Sequence, residues 1–471
     1  MRKLSSDYTV NVAEIDREIR VEESFDLLKK VMKIGRDELT LYYIDGFVKD
    51  GAMEKLMIYF LSLDGIGNTG EDSADEFLRA HLPYVEAEVC EDVDNMIQMM
   101  MSGATLMLGS TFGAKAIIID SRTYPARDTQ EPENDRVMRG ARDGFVETLI
   151  SNTALIRRRI RDTSLIMAYI SVGTKTKTDI ALCYMDGVAD PKYVDYLKEK
   201  LKNIDTGALA LGHQSLTECL VKTRWYNPFP KIRNTERPDA AVAQILEGSV
   251  VILCDNSPEA MILPTSIFDF MQETNDFYYP PFTGSYLRIV RYLVFWSTLV
   301  LTPVWFLFVK NPTIVPDWLL FALPASRAKI SIFVQLLLVE FFLDGLKLAS
   351  MNTPNMLANS LSIVGGLILG DFAVDVGWLI PEVILYMAYV SIASFTQTSY
   401  ELGYAFKFLR VIIIILTEIF NIVGFVIGIA LTVILIATNK TVNRRRSYLY
   451  PLIPFNGRAL LSLFVRLKKS D

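Results

Sequence analysis

The chain has 471 residues, 51% of them hydrophobic, and 48 Lys and Arg against 54 Asp and Glu give a formal net charge of −6. Residues 286–471 hold 16 basic and 9 acidic side chains, which leaves 32 and 45 for residues 1–285, so the front is near −13 and the back near +7. Such a split excludes one uniform globule, and the acidic front argues against a nucleic-acid partner.

The opening MRKLSSDYTVNVAEIDREIR has no apolar core of about seven residues or more, so no secretory signal is expected and the front half is expected in the cytosol. Cys90, Cys183, Cys219 and Cys254 all lie there without a C-x-x-C pair, and they are expected to be reduced, structural thiols. His81 and His213 have no Cys or His at ligand spacing. Neither a zinc site nor a Ser-His-Asp triad is expected, and no cofactor.

Residues 1–36 read as charged and helical. Leu39–Gly46 then reads as a strand ending in an Asp-Gly turn, and Gly51–Leu63 as a helix. Met96–Gly103 is a helix stopped by its glycine, and Ala104–Leu108 with Ala114–Asp120 a strand pair. The plan returns. Asp179–Gly187 ends in a second Tyr-x-Asp-Gly, Pro191–Lys202 is a helix, and Ala240–Gly248 parallels Met96–Gly103. Ser249–Asp255 and Glu259–Pro264 form a second strand pair. Tyr43 to Tyr184 is an offset of 141 and Gly103 to Gly248 one of 145, as in an internal duplication.

Gly65-Ile-Gly67-Asn-Thr-Gly70 matches G-x-G-x-x-G. A helix precedes it rather than a strand, and the following EDSADE would repel phosphate, so a loop is expected there and not a nucleotide site. The link Tyr124–Arg136 is rich in Pro and charge. Arg157, Arg158 and Arg159 would suit phosphate, but on an acidic domain a solvated or subunit-facing helix surface is the expectation. Asn227–Ala240 reads as irregular, with Pro238 at an early helical position.

From Tyr292 to Val309 the chain runs without a charge, about 27 Å if helical, and Val411–Ala437, about 40 Å, holds only Glu418. Further spans are expected near 330–351 and 376–396. A Gly-rich piece at 358–374 is too short to cross alone and reads as re-entrant, allowed only beside protein or water. The tail from 438 carries eight basic residues against Asp471, a positive-inside signal. With the front in the cytosol, four spans and one re-entrant piece satisfy an even number of crossings. Ala459–Lys469 suits a short surface helix.

The expected fold is therefore an α/β cytoplasmic region of two similar subdomains, 1–135 and 136–285, followed by an all-α polytopic membrane domain, 286–437, and a basic tail, 438–471. Charges at membrane depth are costly, which singles out Glu340, Asp344, Asp371, Asp375, Glu382 and Glu418. Those near segment ends suit the interface or a pairing with Lys347. Asp371 and Asp375 lie four residues apart beyond Gly365-Gly366, on one face if helical, and in a symmetric oligomer would form carboxylate rings that admit cations. Glu418 reads as an isolated mid-membrane acid.

Four blocks carry a family resemblance: ARDGFVETLISNTALIRRRIRD, YNPFPKIRNTERPDAAVAQILEGSVVILCDNSP, DFYYPPFTGSYLRIVR and SIVGGLILGDFAV. They are similar to the signature blocks of the GerA family, the A-type subunits of spore germination receptors, in order over most of the chain. The signature positions are Asp143, Gly144, Phe145, Glu147, Asn152 and Arg157–Arg159, then Asn227, Pro228, Pro230, Thr235, Glu236, Arg237 and Pro238, then Arg288 and Arg291. The resemblance implies a spore inner-membrane protein with a two-subdomain cytoplasmic front. It also implies assembly into an oligomeric, pentameric cation channel and work alongside other spore germination membrane proteins. Where receptor subunits carry an Arg-Glu-Ala…Arg-x-Pro pattern, this chain has Lys347-Leu348-Ala349…Asn352-Thr353-Pro354. That departure, with LDGLKLASMNTP and TQTSYELGYAFKFLR, is closer to a sporulation branch of the family encoded with the SpoVA membrane proteins, and it puts direct nutrient sensing in doubt. A channel subunit is thus the leading expectation. A sensing or signal-relaying subunit that does not conduct is the alternative. No catalytic constellation supports an enzyme.

Overall fold

The computed structural model describes residues 2–466 apart from 68, 69, 71, 83, 85, 125–140, 222–224, 274, 326–328, 353–365, 367–372 and 443–446. The chain divides into two compact units, one of residues 1–222 with 232–264 and one of 223–231 with 265–471.

The first unit repeats one order of elements twice. The first copy is α1 (Tyr8–Ile19), β1 (Leu27–Ile34), β2 (Asp37–Ile44), α2 (Asp50–Leu61), α3 (Ser73–His81), β3 (Ala87–Cys90), α4 (Val93–Met101), β4 (Thr105–Gly109) and β5 (Ala116–Ile119). The second is α5 (Leu149–Arg159), β6 (Leu165–Val172), β7 (Thr178–Met185), α6 (Pro191–Lys202), α7 (His213–Leu220), β8 (Arg233–Thr235), α8 (Pro238–Leu246), β9 (Val250–Cys254) and β10 (Ala260–Leu263). Each copy builds a five-stranded sheet, ordered β1-β2-β4-β5-β3 and β6-β7-β9-β10-β8, with antiparallel pairing throughout.

Alternation along the strands assigns the faces. Leu39, Leu41, Met107 and Ile117 meet Leu56, Phe60 and Phe77 of α2 and α3. Tyr42, Ile44, Leu106 and Ile118 meet Ile15, Met96 and Met100 of α1 and α4. Central strands buried on both faces read as unbroken apolar runs, such as AIII in β5. The repeat extends to single hydrogen bonds. The Asn11 amide accepts from the Ser5 N–H at 2.7 Å and donates to the Ser5 carbonyl at 2.8 Å. Asn152 does the same with Val146, accepting at 2.8 Å and donating at 2.5 Å. Gly103 and Gly248, at φ 103° and 91°, end α4 and α8 in a conformation that favours glycine.

Three stretches differ from the sequence reading. Residues 1–36 are not all helical: the chain turns after Ile19, with Arg20 at φ 58°, and enters β1, whose Lys30 and Lys33 face solvent along a sheet edge while Lys29 pairs with Asp16 of α1. Leu165–Val172 is the matching edge strand of the second sheet. Within the stretch read as irregular, Arg233–Thr235 pairs with β10, and Pro238 then opens α8.

The second unit is helical: α9 (Asn275–Tyr278), α10 (Pro281–Lys310), α11 (Ile332–Asn352), α12 (Pro381–Ser394), α13 (Tyr400–Thr438) and α14 (Gly457–Phe464). By length and composition α10 and α13 are long and apolar enough to cross a membrane. Side-chain pairs give the directions. Phe295 meets Phe406 and Lys310 meets Glu418, so α10 and the start of α13 run parallel. Leu336 packs with Trp305, and Arg410 joins Glu340 to the Thr298 carbonyl, so α11 runs opposite to α10. The Ile380 N–H donates to Gln335 at 2.9 Å and Lys347 reaches Ser394 at 3.3 Å, so α12 runs parallel to α11.

The stretch 411–437, expected as one span, is not one straight helix. Asn421 has φ 52° and ψ −128°, outside helical values, and the chain folds back there. A Cβ on Gly424 would fall 1.8 Å from the Leu416 carbonyl oxygen, and one on Gly428 would fall 3.1 Å from the Ile413 Cα. In a straight helix those residues are two or more turns apart, about 12 Å or more. α13 is a hairpin whose arms touch through the small residues of a G-x-x-x-G spacing. Ile436, near its end, packs with Leu402 and Phe406 near its start. The expected span at 376–396 is shorter, with residues 376–380 in a turn ahead of Pro381. The piece read as re-entrant, 358–374, falls mostly outside the described residues.

Candidate functional site

Charged residues on the helical unit gather at three levels. The first is halfway along α10. Glu340, Asp344 and Lys347 recur at one-turn spacing on α11, and Lys407 and Arg410 do so on α13, so each set shares a helix face. The Arg410 Nε donates to Glu340 at 2.8 Å and its Nη1 to the Thr298 carbonyl at 2.7 Å, while Nη2 also reaches Glu340. Glu340 and Arg410 are 6% and 5% exposed, so this is a desolvated pair. One turn away Lys407 lies 3.4 Å from Glu340 and also pairs with Asp344. The Lys347 ammonium sits over the Phe395 ring, 5.4 Å from its centroid.

The second level is the tip of the α13 hairpin. Lys310 Nζ is 2.7 Å from Glu418, and the Asn311 and Asn421 amides donate to one another at 2.6 and 2.9 Å. The third is the start of α10, where Arg291 contacts buried Asp276 and Glu273, each at 2.9 Å. Arg288 donates to the Ser462 carbonyl at 2.7 Å.

Of the residues singled out for an ion path, Asp371 and Gly365 lie outside the described residues. Gly366 is helical and exposed. Asp375 is exposed at the end of the helical turn Ala373–Asp375, next to Val376, whose carbonyl accepts from Lys329 at 3.2 Å. Glu418 is not isolated: it is paired with Lys310 at the hairpin tip. Among the described residues Asp375 and Glu418 share no ion pair or hydrogen bond. Lys407 and Arg410 were missed. Their signal was an i, i+3 cationic pair inside an apolar helix, matching the i, i+4 acids of α11.

The signature residues of the front do structural work. Arg157 is fully buried rather than solvated: it holds Asp26 at 2.7 and 3.0 Å and donates to Ser24, Leu165 and Asp162. An arginine run in a charged sequence reads as a surface, but Asp26 and Ser24 come from the other repeat and satisfy it in the interior. Arg158 covers the Tyr124 ring at 4.5 Å, and Arg159 grips Asp143 at 2.7 Å. Arg237 is clamped by Asp239 at 3.0 and 2.6 Å and donates to the Ala141 carbonyl. Its N–H donates to Thr235. The Glu236 carbonyl accepts from Phe145 and the Glu147 carbonyl from Asn256. Gly144 and Pro230 are buried, Pro228 half-buried. Asn227 donates to the Leu435 carbonyl at 3.3 Å, within the helical unit.

The family model described as Bacillus/Clostridium GerA spore germination protein matches residues 15–471. The chain is 37% identical over 450 residues to stage V sporulation protein AF of Bacillus subtilis, covering 95% of this chain and 90% of that protein. It is 28% identical to spore germination protein KA of the same organism, over 98% of this chain and 85% of the relative. Among solved structures, the N-terminal domain of the A subunit of the Bacillus megaterium spore germinant receptor GerK3 aligns at 24% identity and a TM-score of 0.42. That alignment covers 56% of this chain and 96% of that one.

Proposed function

The chain belongs to the GerA family of spore germination proteins, and from that premise we propose that it is a subunit of an oligomeric membrane channel that passes cations during germination. The family and the long apolar helices make it a spore germination or sporulation membrane protein. One pattern carries the channel reading. Glu340, Asp344 and Glu418 each have a basic partner in the same chain, whereas among the described residues exposed Asp375 has none and half-buried Glu382 accepts only from the Ala325 N–H, at 3.1 Å. In a symmetric homo-oligomer, a pentamer by family resemblance, Asp375 with Asp371 repeats as a ring of carboxylates, which holds cations and repels anions. Glu340 and Arg410 neutralise each other at mid-depth and keep the helices apposed.

The proposed setting is the spore inner membrane, with both termini on the cytosolic side. The meeting of the α10 start with the post-hairpin tail at one end of the helical unit supports this. The proposed partners are further copies of the chain and other spore germination or SpoVA membrane proteins. The test is the purified full chain in liposomes under potassium and chloride gradients. Potassium flux well above chloride flux is expected. Reconstituted oligomers that pass neither ion, but bind a germinant or a germination protein, favour the signal-relaying subunit instead.

A further inference from the structure

At the end of the helical unit where α10 begins, one surface is apolar and uncovered. α14 is fixed to α10 there. Arg288 donates to the Ser462 carbonyl at 2.7 Å, and the Arg466 N–H donates to Ser285 Oγ at 2.9 Å. The Phe464 ring lies 4.9 Å from that of Tyr292. Tyr292 opens the charge-free run of α10, so α14 lies at the level where the apolar span starts. Its other side and the loop before it face outward. Ile453, Phe455 and Leu461 are exposed, Phe455 at 75%, and Arg458 is exposed among them.

We propose that residues 452–461 are a foot that inserts Ile453, Phe455 and Leu461 into the acyl boundary of an anionic bilayer leaflet, with Arg458 at the headgroup phosphates. Apolar side chains beside arginine on a short helix, at the start of a span, fit an interfacial seat. Charge selects the partner. The tail from 438 has eight basic residues and one acid, so anionic headgroups attract it and the tail of a second copy repels it. This rests on the membrane location of the family and not on conduction.

The test uses the full chain with Cys219→Ser, which leaves three buried cysteines, and a polarity-sensitive dye at Phe455→Cys or, separately, at Leu461→Cys. The protein is reconstituted in phosphatidylcholine vesicles with or without phosphatidylglycerol. At both sites bromine on the acyl chains is expected to quench the dye, more strongly when phosphatidylglycerol is present. Arg458→Gln is expected to reduce that extra quenching about fivefold, the factor one basic side chain contributes at an anionic surface. A dye that aqueous iodide quenches as freely as the free dye, in both vesicles, overturns the proposal. So does acyl-chain quenching that is equal with and without phosphatidylglycerol. A dye shielded from both quenchers assigns the surface to a second protein copy and also overturns it.

Discussion

The Lys310 ammonium lies 2.7 Å from a Glu418 carboxylate oxygen and also donates to the carbonyls of Thr417 and Glu418 at 3.3 and 2.7 Å. The last residue of α10 therefore caps the carbonyl end of the first arm of α13, where unpaired backbone acceptors and the negative pole of the helix both favour a cation. Lys310→Met removes the cap and leaves Glu418 alone. Because the pair is partly exposed, the loss is about 1–2 kcal/mol. A thermal melt in detergent that falls by a few degrees for Lys310→Met, and by less for Lys310→Arg, is the expected result.

The hairpin also rests on the absence of side chains at its waist. A Cβ at Gly424 would meet a backbone carbonyl oxygen at 1.8 Å, an atom that cannot swing aside. Gly424→Val should therefore force the arms apart, at a cost of at least about 1–3 kcal/mol. Exposed Val423 and Val426 are on the same arm, and Val423→Ala or Val426→Ala should cost well under that. Equal melting points for the glycine and valine variants would mean the arms do not touch there.

What the sequence showed of this architecture depended on how local its cause is. Strands closed by Asp-Gly turns, strand pairs joined by short turns and glycine-stopped helices are fixed by neighbouring residues, and the duplication was legible from Tyr43/Tyr184 and Gly103/Gly248. Edge strands were not. β1 is charged because, as an edge strand, it is only partly covered on either face, and three-residue β8 is held by β10 rather than by its own propensity. The turn at Asn421 was hidden because both arms are equally apolar, and one asparagine in such a run has no local meaning until Asn311 is opposite it. Arg157 and Arg410 were illegible for a similar reason: their carboxylates lie 131 and 70 residues away in the chain.

Arg157 supplies a direct test of the joint between the two repeats. It is buried with Asp26, and removing one member of such a pair leaves an uncompensated charge, at a cost of about 3–5 kcal/mol. Arg157→Leu should unfold the front unit, as read by protease sensitivity of the full chain. Asp26→Asn with Arg157→Leu should recover part of the loss. Asn11→Ala and Asn152→Ala, which remove matching hydrogen bonds in the two copies, should each cost about 1–2 kcal/mol and add when combined.

The thiols give a measurement that follows pH. Burial and the neighbouring Asp255 push the Cys254 thiol up to about 12, and burial raises that of Cys183 as well. A raised value means the protonated form persists as pH rises, so thiolate, the reactive form, stays scarce through the neutral range. A maleimide at neutral pH should modify exposed Cys219 alone, with Cys90, Cys183 and Cys254 reacting only after denaturation. Rapid modification of Cys183 or Cys254 in the folded chain would show that the sheets open easily.

The conduction proposal stands or falls on which carboxylates lack an internal partner. Asp375 is exposed and unpaired among the described residues, and Asp371 lies four residues before it in the sequence. Glu418 is tied to Lys310, and Glu340 to Arg410. A carboxylate already neutralised by a cation in its own chain contributes little field to a passing ion, whereas an unpaired one, repeated by symmetry, sets the sign of the ion admitted. Asp375→Asn and Asp371→Asn should therefore lower the preference for cations over anions in planar-bilayer recordings without loss of assembly. Their effects should be larger together than singly. Glu418→Gln should act chiefly on stability, lowering the melting point while leaving reversal potentials where they were. Glu340→Gln should lower it further, because it strands Arg410 in the apolar interior. If both aspartate variants match the parent in reversal potential and conductance while Glu418→Gln shifts them, the ion path runs past the hairpin tip and the carboxylate ring is wrongly placed. If none of the three changes selectivity, the acids of this unit serve packing, and the cation-channel reading loses its physical basis.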